Sequence, residues 1–272
     1  MNSLKFQIND ERCIMCGECV LDCPMKIIQM EDGNPFIKPS HESRCIKCQH
    51  CLVVCPTGAV SIFGVDPDDC VPYEMMPSED AVDALIRNRR TVRRFKNENI
   101  PADRLEKLIK TASNAPTGEN HMGLTLSIID DMAETELFRE AVISAIEKAE
   151  LPAEAKFFAK VARAYRMGND IMFRNAPHIV FVSANSGSSA PVEDGIIALT
   201  YFEIMAASMG LGTVWVNFLM QAMNLAPELK QLLKLPEGDT LVYPMLLGIP
   251  DVIYHRGVKR DSIGVKRLSF KG

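Results

Sequence analysis

The sequence predicts an α+β protein of two domains, and three observations carry that prediction. A dense cysteine pattern near the N-terminus occurs twice, with a period of 32 residues. A connector rich in proline and acidic side chains follows it. Beyond the connector, apolar residues recur at helical spacing in some segments and fill strand-like runs in others, which predicts a central sheet flanked by helices. The expected domains are 1–65 and 80–272, joined by a linker over 66–79.

The first copy of the repeat reads CIMCGECVLDCP, Cys13 to Pro24, and the second CIKCQHCLVVCP, Cys45 to Pro56. Agreement extends beyond cysteine: Arg12 matches Arg44, Ile14 matches Ile46, and Ile28 and Met30 match Val60 and Ile62. Each half reads as a short strand, a cysteine loop, a short helix and a second strand. Neither half is large enough to bury a core alone, so the two are expected to pack as a pseudo-twofold (βαβ)2 pair.

Eight of the nine cysteines lie in these two runs, and only Cys70 lies outside them. Disulfide stapling of a secreted domain would spread them more evenly, so ligands to a cofactor in a reducing compartment are expected. Zinc also takes C-x2-C pairs, but it needs two separated pairs rather than four cysteines in eleven residues, twice. The spacing C-x2-C-x2-C-x3-C-P is that of bacterial ferredoxins, in which the fourth cysteine serves the other cluster. The segment up to about residue 65 resembles such a two-[4Fe-4S] ferredoxin. Applied here, the pattern assigns Cys13, Cys16, Cys19 and Cys55 to one cluster and Cys45, Cys48, Cys51 and Cys23 to the other. Gly17, Glu18, Lys47 and Gln49 between the ligands leave backbone N–H groups for cluster sulfur. Cys70 reads as a free thiol and His50 as a surface residue.

Composition fits a globular protein of this length, with 47% hydrophobic and 24% charged residues. A net charge of -5 argues against nucleic-acid binding. The opening MNSLKFQIND lacks a basic stretch followed by an apolar run, and a cytoplasmic location is expected. The apolar stretch from Ile196 to Met220 contains Glu203 and is interrupted by Gly210 and Gly212, so a buried helix and strand are expected rather than a membrane span.

After the connector, Val82, Leu85 and Ile86 recur at helical spacing from a Ser78 cap. Pro101 opens a second helix with Leu105, Leu108, Ile109 and Ala112 on one face. Residues 123–130 alternate like a strand. Helices are expected over 134–149 and 153–167, a strand over 178–184, and a long buried helix over 194–209. TVWVNF and TLVYPMLLGI read as interior strands.

Three polar segments stand out. RNRRTVRRF, residues 87–95, holds five arginines. It reads either as a solvated helix end or as a clamp for phosphate and carbonyl oxygens, which the guanidinium fork matches. Aromatic interleaving is absent, which again disfavours nucleic acid. SNAPTGENH, residues 113–121, is a helix exit into a polar turn, and HRGVKR, residues 255–260, is a basic segment after the last core strand.

In this order and spacing, the segments RRTVRRF, APTGEN, VEDGIIALTYFEIMAASMGLGTVW and LLGIP…HRGVKR resemble the FMN-dependent nitroreductase family over about residues 78–272. The resemblance implies that Arg89, Arg90, Thr91 and Arg93 contact FMN, and that Pro116, Thr117 and Asn120 reach the FMN of a partner subunit in a homodimer. It implies that Glu193, Asp194 and Gly195 pass beside the flavin and that Arg256, Lys259 and Arg260 complete the phosphate site. The C-terminal IGVKRLSF would pair with the partner's sheet. Tyr165, Phe173 and Trp215 are aromatic pocket candidates, core packing being the expected role of Trp215.

The expected cofactors are therefore FMN and two [4Fe-4S] clusters, with the flavin rather than a side chain as the reacting centre. The expected function is a nitroreductase-like oxidoreductase taking electrons through the clusters to FMN and reducing a nitroaromatic, quinone or activated alkene by hydride transfer. The alternatives are electron transfer to a protein partner, and other flavin chemistry of the same fold such as reductive dehalogenation or flavin fragmentation. The donor is expected to be an external ferredoxin or NAD(P)H, although no G-x-G-x-x-G follows a strand. No nucleic-acid or membrane partner is expected.

Overall fold

The computed structural model describes residues 4–270. Its contacts divide the chain into two units. One runs to Pro77 and takes in Glu119–His121; the other comprises Ser78–Gly118 and the chain from Met122 onward.

In the first unit the order is β1 (Gln7–Ile8), α1 (Glu18–Leu21), β2 (Ile28–Glu31), β3 (Asn34–Ile37), α2 (His50–Val53) and β4 (Val60–Ser61). A 3-10 segment, Pro39–Arg44, precedes the second cysteine loop. The antiparallel pairs are β1 with β4 and β2 with β3. Each repeat thus pairs both of its strands with the other repeat, which is why neither needs a core of its own. The loops repeat in conformation as well as in sequence. Met15 and Lys47 both adopt the left-handed region, as do the helix caps Gly17 and Gln49. Ile27, Ile28, Leu52, Val60 and Ile62 form the core, together with buried Cys19, Cys23 and Cys51.

The second unit opens with α3 (Glu79–Asn88), where the Ser78 hydroxyl accepts from Ala81 N at 3.2 Å. There follow α4 (Ala102–Ala112), β5 (Leu124–Ile129), α5 (Met132–Lys148), α6 (Phe157–Arg166) and β6 (His178–Ala184). The chain continues through α7 (Pro191–Ser208), β7 (Gly212–Trp215), α8 (Asn217–Leu225), α9 (Glu228–Gln231) and β8 (Thr240–Gly248). The sheet order is β5-β6-β8-β7, antiparallel throughout.

All seven residues of β6 are buried, and alternation splits them between two cores. Ile179 and Phe181 pack with α5, α6 and α8, whereas Val180 and Val182 pack with α4 and α7. The sheet is therefore covered on both faces, as the apolar runs predict. No helix among the described residues is long and apolar enough to cross a membrane.

TVWVNF departs from expectation. The strand stops at Trp215, stands at the end of the sheet order, and gives way to α8 at Asn217. Valine and aromatic residues make the segment look extended, but Leu219, Ala222 and Met223 are buried at the i, i+3, i+4 spacing of a helix. The outer edge of β7 is met by the arginine segment, with Val92 N donating to Thr213 O at 3.1 Å.

Candidate functional site

Two cavities in the first unit are each lined by four cysteines. Cys13, Cys16, Cys19 and Cys55 line one, beside Met15, Met30 and Val60. Cys23, Cys45, Cys48 and Cys51 line the other, beside Ile27, Ile28 and Ile62. Each cavity takes three thiols from one repeat and one from the other, because the short helix that contains each third cysteine leads the fourth away from its own loop.

The thiols are uncomfortable as ionised groups on their own. Burial pushes Cys51 up to about 12, and Cys45, Cys48 and Cys23 push in the same direction. Burial raises Cys19, helped by Cys55 and then Cys16. Cys45 is raised by burial and by Cys48 and Cys23, although Lys47 N donates to its sulfur at 3.4 Å. Cys55 differs. Burial pushes it up, but donation from Ala59 N at 3.2 Å, with Thr57 and Val60, leaves it below the ordinary thiol value. Four thiolates around one space require a polycationic centre to bring their protons off. The donor set fits a multi-iron centre in each cavity, closed by sulfur ligands alone.

His50 also lines the second cavity, but its Nδ1 lies 3.1 Å from Asp22 Oδ2 and the side chain is about half exposed. Cys70 packs against the first core, with its thiol 3.8 Å from Asp66 O.

In the second unit the arginine run leaves α3 at Arg89 and becomes extended. Arg89 Nη1 lies 3.0 Å from Oε1 of buried Glu203 on α7, and Thr213 Oγ1 donates to the same oxygen at 3.1 Å. Arg90 Nη2 donates to Arg87 O at 3.0 Å, closing the helix end. Its Nε is buried with no partner among the described residues. Thr91 and Arg93 line an open cleft of about 310 Å³ with Arg174, Trp215, Asn217 and Phe218. Lys96 N donates to Ile249 O and Asp251 N to Arg94 O, so the run is held beside the segment after β8. The basic tail begins at the same place: Tyr254 Oη lies 3.5 Å from Thr91 O, and a Cβ on Gly257 would come within 2.9 Å of Arg87 O. Arg256, Lys259 and Arg260 are exposed there.

A second group forms around Asp194. Its carboxylate accepts from Gly118 N at 2.8 Å and from Ser188 Oγ at 2.7 Å, and is itself buried. Asp194 thus anchors the exit of α4 rather than facing an open space. Gly195 is needed for close approach, since a Cβ there would come within 2.8 Å of Val242. Glu193 is exposed in the first turn of α7, and Pro116 is exposed in the loop. Thr117 Oγ1 accepts from Met122 N at 2.9 Å. Asn120, grouped with the first unit, donates from Nδ2 to Ile46 O at 2.8 Å.

The structure therefore assembles the predicted residues into two groups within this chain, Arg89 to Arg93 with the tail, and Pro116 and Thr117 with Glu193 to Gly195. Glu203 and Ser188 were not singled out by sequence pattern as site residues. The signal for Glu203 is a lone charge inside an apolar helix; nothing local marks Ser188. Of the aromatic candidates, Phe173 is fully buried in the core and Tyr165 donates to Glu136 at 2.6 Å on the surface of α6. Trp215 is half-buried, packs against the core on the α4–α7 face beside Tyr243 as expected, and also lines the Arg93 cleft.

Each part matches a known family. The family model described as the nitroreductase family matches residues 86–249, more than half of the chain. A second, described as a 4Fe-4S dicluster domain, matches residues 12–60. A crystal structure of a nitroreductase with bound FMN from Bacteroides fragilis NCTC 9343 superposes with a TM-score of 0.58 at 21% identity, covering 70% of this chain and 100% of that one. A nitroreductase with bound FMN from Desulfitobacterium hafniense DCB-2 gives 0.56 at 20% identity, covering 71% and 100%. An iodotyrosine deiodinase from Haliscomenobacter hydrossis is 35% identical over 60 residues, which is 22% of this chain and 27% of the relative. The match thus spans about a quarter of that relative's length.

Proposed function

The chain belongs to the nitroreductase family, and from that premise we propose that it is an FMN-dependent oxidoreductase fed by two [4Fe-4S] clusters of its own. The carrying observation is the pair of four-cysteine cavities on a chain that also bears the family's arginine run beside an open cleft. Bound, the clusters would supply one-electron centres and FMN a centre that accepts electrons singly and gives them up as hydride.

The chain's own residues do the holding. Cys13, Cys16, Cys19 and Cys55 would hold one cluster, and Cys45, Cys48, Cys51 and Cys23 the other. The N–H groups of Ala59 and Lys47 already point at ligand sulfur and stabilise its negative charge. Arg89, Arg90, Thr91 and Arg93 would hold the flavin, with Arg256, Lys259 and Arg260 neutralising its phosphate. The buried, unpartnered Nε of Arg90 is an available donor at that place. Glu193, Asp194 and Gly195 would pass beside the ring. Pro116, Thr117 and Asn120 would reach the flavin of a partner in a homodimer. Exposed apolar side chains on α3 (Ile86) and in the tail (Ile263, Val265, Leu268, Phe270) support a second copy as the partner.

The acceptor would be a small nitroaromatic, quinone or activated alkene. The match to an iodotyrosine deiodinase favours reductive dehalogenation as a second reading. Anaerobic purification tests the proposal. It should yield FMN with about eight iron and eight sulfide per chain, flavin bleaching by a reduced ferredoxin or NAD(P)H, and turnover in a screen that includes halophenols. Purified protein that holds iron and sulfide but binds no flavin would overturn it.

A further inference from the structure

The two cysteine runs are related by sequence and conformation, yet they meet the outside differently. In the first, Cys16 is exposed, and Ile14 and Met15 are 63% and 57% exposed. In the second, Cys48 and Ile46 are half-buried, and Ile46 O is held by Asn120. Met15 lies over the turn between β2 and β3, where a Cβ on Gly33 would come within 2.6 Å of its sulfur. Exposed Met30 lines the same cavity.

Charge breaks the symmetry in the same direction. Around Ile14 and Met15 stand exposed Asp10, Glu11 and Glu18, with Glu31 and Asp32 at the turn that Met15 covers. The nearby cation Arg12 is taken up by Asp68, at 2.8 and 3.0 Å. At the equivalent positions of the second run, Asp10 keeps an acid in Glu42, but Ser43 replaces Glu11, Lys47 replaces Met15, His50 replaces Glu18, and Phe63 and Gly64 replace Glu31 and Asp32.

We propose that this face of the first run, with Ile14 and Met15 at its centre and carboxylates around it, is the docking surface for a one-electron carrier protein that presents basic residues around its redox centre. The proposal rests on the function above in assuming a reducible cluster beneath Cys16. An apolar centre with a charged rim is the anatomy of a protein interface. The acidic rim steers a basic partner, whereas it repels a dinucleotide, which is anionic. One electron passes between the carrier and the nearest cluster; one centre is oxidised, the other reduced, and no bond or proton moves.

Cytochrome c, a basic haem carrier, serves as the probe. Dithionite-reduced holoprotein, freed of excess reductant, is mixed with the ferric form, and haem reduction is followed at low and high salt. The wild-type rate should fall steeply with ionic strength. The pair Glu11→Lys and Glu31→Lys should slow it about tenfold at low salt and leave it unchanged at high salt. Glu42→Lys, a single reversal beside the second run, should stay within about twofold of wild type and slow the rate less than Glu11→Lys alone. A rate indifferent to the first two reversals, or equally sensitive to Glu42→Lys, overturns the docking surface. Iron, sulfide and dithionite-driven acceptor reduction are read on the same samples. Full dithionite-driven turnover with an indifferent cytochrome rate sinks the docking surface alone. Intact clusters and a normal cytochrome rate without acceptor turnover sink the proposed function alone. A protein lacking iron and sulfide sinks both.

Discussion

Arg89 Nη1 lies 3.0 Å from Oε1 of Glu203, a carboxylate buried on the apolar helix α7. The pair joins the start of the arginine run to the helix beneath it, and Thr213 on β7 completes the junction. Glu203→Ala leaves the guanidinium and the Thr213 hydroxyl without their acceptor, at a cost of about 2–4 kcal/mol. Arg89 is partly exposed, which keeps that figure below the loss for a fully buried pair. Glu203→Gln retains an acceptor and should lose about half as much. Denaturant melts with iron content monitored check the ranking; two melts indistinguishable from wild type would refute it.

Arg93 reaches the cleft beside Trp215 and has no place in the first unit's core. Arg93→Ala should weaken flavin retention about tenfold, the scale of one charge-assisted contact, with iron and sulfide unchanged. Equilibrium dialysis of FMN measures this, and an Arg89→Ala, Arg93→Ala double variant that retains all its flavin contradicts the assignment.

Cys55 shares its cavity with Cys13, Cys16 and Cys19, not with the three cysteines that precede it in its own run. Cys55→Ser should therefore damage the cluster of the first run. Paired with Cys23→Ser, it should give two different electron paramagnetic resonance spectra, each missing one signal. Loss of the second run's signal in Cys55→Ser would exchange the assignment.

Gly195 sits where a Cβ would come within 2.8 Å of Val242, and Asp194 beside it anchors Gly118. Gly195→Ala should destabilise by about 1–3 kcal/mol through overpacking of α7 against β8. Asp194→Ala should cost about the same by leaving Gly118 N–H and the Ser188 hydroxyl unsatisfied. Only Asp194→Ala should also raise protection loss at residues 115–118 in hydrogen exchange. Equal exchange in both variants would show that the carboxylate does not hold the loop.

Legibility followed the range of the interaction. The cysteine sets could be read from spacing because their order along the chain is itself the ligand pattern. The strand over 178–184 was legible because its run of apolar residues is buried on both faces, and the Ser78 cap because capping is local. The end of TVWVNF, residues 216–218, misled, since valine and aromatic side chains next to β7 favour an extended reading while burial beyond Asn217 is decided by helical spacing. The Arg89–Glu203 contact joins residues 114 apart and leaves only a lone acid in an apolar helix as its trace. Asp194 reads as a flavin neighbour from its motif, whereas its side chain turns inward to Gly118, a role set by tertiary packing.

Under the proposed function, electrons entering through the cysteine cavities reach a flavin on the same chain. The most direct measurement is anaerobic stopped-flow mixing of the holoprotein with a reduced one-electron carrier, followed at cluster and flavin wavelengths. Wild type should show flavin bleaching after cluster bleaching, and a Cys16→Ser, Cys48→Ser variant that retains FMN should lose flavin bleaching at least about a hundredfold in rate, a barrier of about 2.7 kcal/mol. Flavin bleaching at an undiminished rate in that variant would contradict the account.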